Sequence, residues 1–189
     1  MSALLKTQTE AERLSGSVQA CARLRQNPIW RRASQILFYA PRADEIDLWP
    51  LAQEALAEGK TVVLPRYDSA QRSYVGVQVK NLERDVDVGH FGIREPHTLD
   101  CIFPLIQLDL ALVPGVAFDV GGCRLGRGKG YYDRLLATVR GTKCGVAWDF
   151  QIQARIPAEF HDLKLQCILT PTRWLVAGQS WSGNDFTSK

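Results

Sequence analysis

Short apolar runs recur along the chain, and each of the first three is followed at once by a proline. They are residues 35–40 (QILFYA), 61–64 (TVVL) and 108–113 (LDLALV), followed by Pro41, Pro65 and Pro114. Runs this short and this continuously apolar are typical of strands buried on both faces. Residues 143–148 and 166–169 predict two more such strands, and the alternating run 73–79 predicts an edge strand or hairpin.

Helical periodicity fills the segments between these runs. Thr9 and Glu12 have the spacing of a capping box, and a helical pattern follows as far as Asn27-Pro28. A second helix is predicted over residues 46–58 and a third over 130–140. A strand, a helix and a second strand in succession form a βαβ unit, which makes neighbouring strands parallel.

These elements predict an α/β fold, with a mainly parallel sheet between helices, in a single domain over residues 1–177. We expect residues 178–189, which are polar, to form a flexible tail. Ligands of open parallel sheets bind beyond the carboxyl ends of the strands. A site built from loops 41–45, 65–67 and 114–119 is therefore predicted, although the prolines could simply end the strands. These loops carry Glu45, Arg66, Tyr67 and Asp119, which favours a site.

The densest chemical signal is the segment Arg124–Asp133, which interleaves glycines with basic residues. Glycine lets the backbone approach a ligand closely, successive amides can point at one anion, and basic side chains neutralise phosphate. The segment matches neither the P-loop spacing nor G-x-G-x-x-G, so a solvated surface turn is the alternative. Asp133 closes this segment and is a candidate magnesium ligand beside bound phosphates, with a surface aspartate near the start of a helix as the equal alternative. Asp162 is a weaker second candidate.

Composition removes several function classes. A net charge of +3 without runs of like charge does not favour nucleic acid, and no apolar stretch approaches the roughly 18 residues of a membrane span. The five cysteines are scattered, which predicts reduced thiols in a cytoplasmic protein without a signal peptide. His90, His97 and His161 lack zinc spacing, and no serine-hydrolase elbow is present.

The string FDVGGCRLGRGKGYYDR, after an apolar strand and VPG, resembles the signature of the 5-formyltetrahydrofolate cyclo-ligases, also called methenyltetrahydrofolate synthetases. FYAPRADEIDL, GKTVVLPRY, HFGIREP and GVAWDFQ resemble further segments of that family. The resemblance implies a Rossmann-like three-layer fold of the NagB/RpiA/CoA-transferase type. It also implies ATP-dependent cyclisation of 5-formyltetrahydrofolate to 5,10-methenyltetrahydrofolate, with ADP and phosphate released and Mg²⁺ as cofactor.

The resemblance also implies roles for individual residues. Lys129, Arg127 and Tyr131 would be catalytic. Those expected to bind ATP are Arg124, Leu125, Gly126, Arg127, Gly128, Lys129, Gly130, Tyr131 and Tyr132. Those expected to bind the reduced folate are Ala40, Glu45, Phe91, Arg127, Gly128 and Tyr131. Asp133 and Asp162 would hold magnesium. The partners would be these two small molecules, with neither nucleic acid nor membrane, and we expect a monomer or weak homodimer.

Two positions depart from the family pattern. Family members usually carry a basic K-x-x-L-R helix before the T-x-x-E helix start, whereas Lys6 falls where the following linker is expected. We therefore expect part of the usual nucleotide site to be missing. Three interpretations stand: a misassigned start, weaker nucleotide binding, or a divergent paralogue. Gln166 replaces the usual Asp, which we expect to affect local hydrogen bonding only. Two alternatives remain: a paralogue that uses ATP on another small molecule, and a folate- or nucleotide-binding protein with little turnover.

Overall fold

Local capping fixes the first two helices. The computed structural model describes residues 8–89, 92–157 and 163–179. Helix α1 (Glu10–Gln26) begins at the predicted capping box: Glu12 N–H donates to the Thr9 hydroxyl at 3.2 Å, and Thr9 N–H donates to the Glu12 carboxylate at 2.8 Å. Asn27 ends α1 and caps α2 (Pro28–Arg32) by accepting from the N–H of Ile29.

Seven strands of the described residues form one sheet. In chain order they are β1 (Gln35–Leu37), β2 (Thr61–Asp68), β3 (Ser73–Val79), β6 (Leu110–Pro114), β9 (Thr142–Val146), β11 (Cys167–Leu169) and β12 (Trp174–Val176). Their order across the sheet is β12-β11-β9-β6-β1-β2-β3. The neighbours from β11 to β2 are parallel, whereas β3 and β12 pair antiparallel at the two edges. The predicted mainly parallel sheet is confirmed, and so is the edge position of residues 73–79.

Alternation along the strands builds one core on each face of the sheet. Ile36 and Val62 point to the face covered by α1, α2 and α3 (Trp49–Ala57). Leu37 and Val63 point to the opposite face, where α4 (Tyr131–Leu136) contributes Leu135 and Leu136. The result is the predicted three-layer arrangement, with strands that are apolar throughout because both faces are covered.

Smaller strands complete the rim. A hairpin joins β4 (Val86–Val88) to β5 (Arg94–Pro96), and a three-stranded sheet joins β7 (Ala117–Asp119), β8 (Arg124–Leu125) and β10 (Ile152–Gln153). Short 3₁₀ turns lie at Leu105–Gln107 and Asp149–Gln151. All five cysteines are free thiols, and among them Cys101 alone is exposed. None of the helices within the described ranges could cross a membrane. The predicted tail lies outside the described residues from residue 180 onward.

Pro65 does not end its strand, which corrects the prediction that residues 65–67 form a loop. The Val63 carbonyl accepts from the N–H of Phe38, so it faces β1, and backbone groups two residues later face the same side. β1 has already ended at Leu37, opposite Val63. The nitrogen of Pro65 therefore faces no strand partner, and a proline is tolerated there.

Other boundaries also moved. The second predicted helix begins at Trp49 rather than residue 46, because Asp47 accepts from the Trp49 N–H at 2.8 Å and Pro50 suits a first turn. The third predicted helix, 130–140, is α-helical only over Tyr131–Leu136. Strand β12 was not predicted.

Candidate active site

A cavity of about 1030 Å³ opens at the carboxyl ends of the central strands. Ala40 and Glu45 reach it from the loop after β1, Pro65 from β2, and Pro114 and Gly115 from the end of β6. The structure therefore brings together residues from all three predicted segments. The opposite wall is residues 124–130, called the basic loop below, together with the first turn of α4. All the described residues predicted to contact ATP or folate line this cavity: Ala40, Glu45 and residues 124–132.

The basic loop owes its shape to glycine. Gly128 and Gly130 have φ of 83° and 60°, a left-handed backbone that residues with a Cβ adopt only at a cost. Around them, Arg127 and Lys129 are exposed to the cavity. Cations on a close-approaching backbone suit a ligand that carries several negative charges.

Arg127 of the basic loop reaches across to the loop after β1. Its Nη2 atom lies 2.9 Å from the Asp44 carboxylate and 3.9 Å from the Glu45 carboxylate. Burial alone would raise the pKa of Asp44, but the hydrogen bond from Arg127 and the charges of Arg127 and Arg42 outweigh it and lower the pKa. The Asp44–Arg127 ion pair thus joins the two walls.

Glu45 presents a largely desolvated carboxylate to the cavity. Its side chain is 15% exposed, and one oxygen accepts from the N–H of Arg42 at 3.1 Å. Burial raises the pKa of Glu45, and the neighbouring charge of Asp44 adds to the shift. Tyr39 and Tyr132 lie nearby, and burial, followed by the charge of Glu45, raises the pKa of both hydroxyls. This wall therefore offers a largely desolvated hydrogen-bond acceptor beside the Asp44–Arg127 ion pair.

The structure also places residues in the cavity that sequence reasoning missed. They are Tyr39, Tyr74, Ile93, Arg94, Glu95 and Pro157. Arg94 lies with its guanidinium carbon 3.9 Å from the Trp49 ring centroid, and Glu95 is 3% exposed. Glu95 stands in the GIREP string that carries part of the family resemblance, so its carboxylate could have been considered from sequence. Tyr74 had only its place in an edge strand as a signal.

Two residues of the predicted loops serve the fold instead. Asp119 is 3% exposed, and its carboxylate accepts from the N–H groups of Gly121 and Cys123 at 2.9 Å. It therefore shapes the turn that leads into β8. The guanidinium of Arg66 donates to the Pro96 carbonyl, which ties β2 to β5.

Of four other residues singled out from the sequence, only Gln166 lies among the described residues. Gln166 accepts from the N–H of Lys143 at 2.8 Å, a local hydrogen bond as predicted. Phe91 and Asp162 lie outside the described residues, so their roles stay predictions. The same holds for Lys6 and the proposed gap in the nucleotide site.

Among the described residues, Asp133 would offer magnesium one carboxylate and no cluster of further protein ligands. Its side chain is 48% exposed, and Oδ1 lies 2.7 Å from Nη2 of Arg124. In the part of the chain that the structure describes, no three His, Cys, Asp or Glu side chains cluster as metal ligands. Magnesium on a nucleotide needs only one or two carboxylates, because phosphate oxygens and water supply the rest. The donor set therefore fits a cation brought in with phosphate.

Comparison with known proteins gives one consistent family. The family model described as "5-formyltetrahydrofolate cyclo-ligase family" matches residues 1–171. The 5-formyltetrahydrofolate cyclo-ligase of Escherichia coli (strain K12) is 31% identical over 160 residues, which cover 82% of this chain and 87% of that protein. The one from Mycolicibacterium smegmatis is 35% identical over 144 residues, 74% of each chain.

Solved structures agree with the sequence relatives. The structure of Aquifex aeolicus 5,10-methenyltetrahydrofolate synthetase superposes with a TM-score of 0.81 at 34% identity, covering 93% of this chain and 88% of that chain. A synthetase from Mycoplasma pneumoniae shares the fold, with a TM-score of 0.70 at 22% identity over 88% of this chain and 92% of that chain. The match of the family model to nearly the whole chain, with relatives above 30% identity over most of it, shows that the chain belongs to the 5-formyltetrahydrofolate cyclo-ligase family.

Proposed function

We propose that this protein converts 5-formyltetrahydrofolate and ATP to 5,10-methenyltetrahydrofolate, ADP and phosphate. The observation that carries the proposal is the pairing of two unlike walls around one cavity, in a member of this family. The largely desolvated Glu45 carboxylate suits the N–H donors of a pterin, and the basic loop suits a triphosphate. The cavity, about 1030 Å³ in volume, is one shared space in which both ligands would meet.

The reaction needs little acid–base chemistry from the protein. The formyl oxygen attacks the terminal phosphorus of ATP, a new O–P bond forms, and the bond to ADP breaks. The neighbouring folate nitrogen then attacks the formyl carbon and loses its proton, and phosphate leaves with the former formyl oxygen. Positioning and charge neutralisation dominate such a transfer.

The basic loop supplies the charge neutralisation. The Lys129 ammonium is exposed at the cavity wall, where it suits the negative charge of the transferring phosphoryl group. Arg127 is held toward Asp44 and Glu45, so it lies between the phosphate side and the pterin side. Tyr131 extends from the same turn and packs the substrates against the loop. These three residues are the proposed catalytic set.

Magnesium would neutralise part of the triphosphate charge when it is bound. Asp133 would hold it, together with Asp162. The Arg124 guanidinium beside Asp133 keeps that carboxylate oriented at the edge of the cavity. The cytoplasmic location and the monomeric or weakly dimeric state stay predictions from the sequence.

The assay is direct. Protein, MgATP and 5-formyltetrahydrofolate are mixed, and the near-ultraviolet absorbance of the methenyl product is followed together with ADP release. We expect both products in equal amounts. No methenyl product with ATP binding intact would point to a paralogue with another substrate or to a binding protein. Product without ATP would contradict the mechanism.

A further inference from the structure

A buried carboxylate and a tyrosine meet at the edge-strand side of the cavity. The Tyr74 hydroxyl, on β3, donates to Oε1 of Glu95, on β5, at 3.2 Å. The N–H of Tyr67 donates to Oε2 of the same carboxylate at 3.2 Å. Both Tyr74 and Glu95 line the cavity. Glu95 therefore fixes the orientation of the Tyr74 ring relative to β2 and β5.

The Tyr74 ring completes a closed set of three aromatic contacts. Its centroid lies 5.3 Å from that of Tyr131 at 76° and 5.5 Å from that of Tyr67 at 66°. Tyr67 and Tyr131 are 5.9 Å apart at 71°. These are edge-to-face geometries, which the ring quadrupole favours. Burial, and then the charge of Glu95, raises the pKa of the Tyr74 hydroxyl, so it remains a donor at physiological pH.

Tyr131 is where this set reaches the basic loop. It is the first residue of α4, directly after Gly130, whose φ is 60°. The Lys129 ammonium lies 5.9 Å from the Tyr131 ring centroid, and the Arg134 guanidinium lies 5.1 Å from it. A glycine backbone has many accessible conformations, so its position depends on the anchors at its ends. At the Gly130 end of the loop, that anchor is the contact of Tyr131 with Tyr74 and Tyr67.

We propose that Tyr74 is a positioning residue of the basic loop. Its ring, oriented by Glu95, holds Tyr131 and through it sets where Lys129 meets the transferring phosphoryl group. The role in catalysis rests on the proposed function, but the anchoring of the loop does not.

Trypsin tests the anchoring without any ligand or activity. Arg127 and Lys129 are exposed cleavage positions inside the loop, and the fragments can be identified by mass. We expect Tyr74→Leu to be cut there about tenfold faster than wild type, because two ring contacts are lost. Tyr74→Phe keeps both contacts, and its cleavage rate should stay within about threefold of wild type. Val75→Ala, a truncation on the same strand outside the cavity lining, is the matched control and should leave the rate unchanged.

Kinetics test the consequence. Tyr74→Leu should raise KM for ATP and lower kcat, each by a factor of several, and should change KM for 5-formyltetrahydrofolate less. Tyr74→Phe keeps the ring, so its KM for ATP and its kcat should stay near those of the wild type. A purely structural role would lower the active fraction, leaving every KM unchanged. Where Tyr74→Leu fails to fold, Glu95→Gln serves instead: it keeps all three rings, and we expect about threefold faster cleavage.

Three results would overturn the proposal. The first is a Tyr74→Leu variant whose cleavage rate and KM for ATP both equal those of the wild type. The second is a Tyr74→Phe variant that is cleaved as fast as Tyr74→Leu. Where Tyr74→Leu does not fold, the third is wild-type cleavage of Glu95→Gln. A wild-type protein that forms no methenyl product would instead overturn the proposed function, and the cleavage rates would still decide whether Tyr74 anchors the loop.

Discussion

The two walls of the cavity bind charge in opposite ways. The wall after β1 carries Glu45, an acceptor that is largely buried and held by a backbone N–H, and burial raises its pKa. The basic loop carries Arg127 and Lys129, which are exposed. A desolvated acceptor discriminates between ligands through hydrogen bonds that cannot be replaced by water. Exposed cations attract anions broadly, and they become selective only when closure excludes water. Specificity for the folate should therefore come mainly from the first wall, and rate from the second.

The largest expected effect is on the basic wall. Lys129→Ala should lower kcat by about 10³-fold, because a cation that meets charge developing in the transition state is removed. The melting temperature should hardly change, since the side chain is exposed. Steady-state product formation measures the first quantity and thermal unfolding the second. Lys80→Ala, an exposed lysine outside the cavity lining, is the control. Near-normal kcat in Lys129→Ala would remove this residue from the catalytic set.

The second-largest expected effect on activity is that of Glu45→Gln. Loss of a charged acceptor costs about 1.5–3 kcal/mol, so kcat/KM for the folate should fall roughly 10- to 150-fold. KM for ATP should change little. Glu83→Gln, at an exposed carboxylate, should leave both unchanged. Equal losses for both substrates would mean that the two walls do not act separately.

Glu45→Gln should stabilise the fold even though it lowers activity. The folded-state pKa of Glu45 is raised by burial, so its ionised form opposes folding. That cost is absent below the unfolded-state pKa, and it grows as pH rises through the folded-state value. At neutral pH we therefore expect Glu45→Gln to unfold at a higher temperature than wild type. The difference should disappear below about pH 4, near the ordinary glutamate pKa. A lower melting temperature at neutral pH would show that the carboxylate stabilises the ligand-free fold.

Gly128→Ala should weaken ATP binding by about 5- to 30-fold, because a left-handed alanine costs roughly 1–2 kcal/mol. A Cβ there would meet nothing within 4 Å, so the effect comes from the backbone alone. Gly59 is a matched control, since its φ is 77° and it also faces open space, at the end of α3. Gly59→Ala should lower the melting temperature and leave KM for ATP intact. If both variants behave alike, the conformation of the basic loop does not determine affinity.

How far the sequence predicts this molecule differs between its parts. The central strands were predictable because burial on both faces leaves uninterrupted apolar runs such as residues 61–64. Pro65 was misleading, because the compatibility of a proline with a strand depends on where the neighbouring strand ends. That is tertiary information, which no local pattern contains.

The site divides in the same way. The basic loop was predictable because glycines and cations adjacent in sequence stay adjacent in space. Tyr74 was not, since its contact with Tyr131 requires the docking of α4 on an edge strand. Asp119 shows the converse error. It lies in a predicted ligand-binding loop, yet its Oδ1 accepts from N–H groups of its own turn and its Oδ2 accepts from the N–H of Ile156. Which polar group remains available to a ligand depends on hydrogen bonds that form only in the folded chain.

The smallest expected effect concerns the ion pair that joins the two walls. In Asp44→Asn the Arg127 guanidinium loses its charged partner and becomes available to phosphate, and one negative charge leaves the cavity edge. Partly exposed pairs are worth up to about 1 kcal/mol, so ATP should bind up to about fivefold more tightly. The gain should shrink as salt is added, because screening weakens both the pair and the repulsion. Isothermal titration of ATP without folate, at low and high salt, measures it, with the exposed Asp100→Asn as control. Weaker binding in Asp44→Asn would reverse the interpretation: the ion pair would then organise the basic loop for ATP, and the acidic wall would assist the basic one.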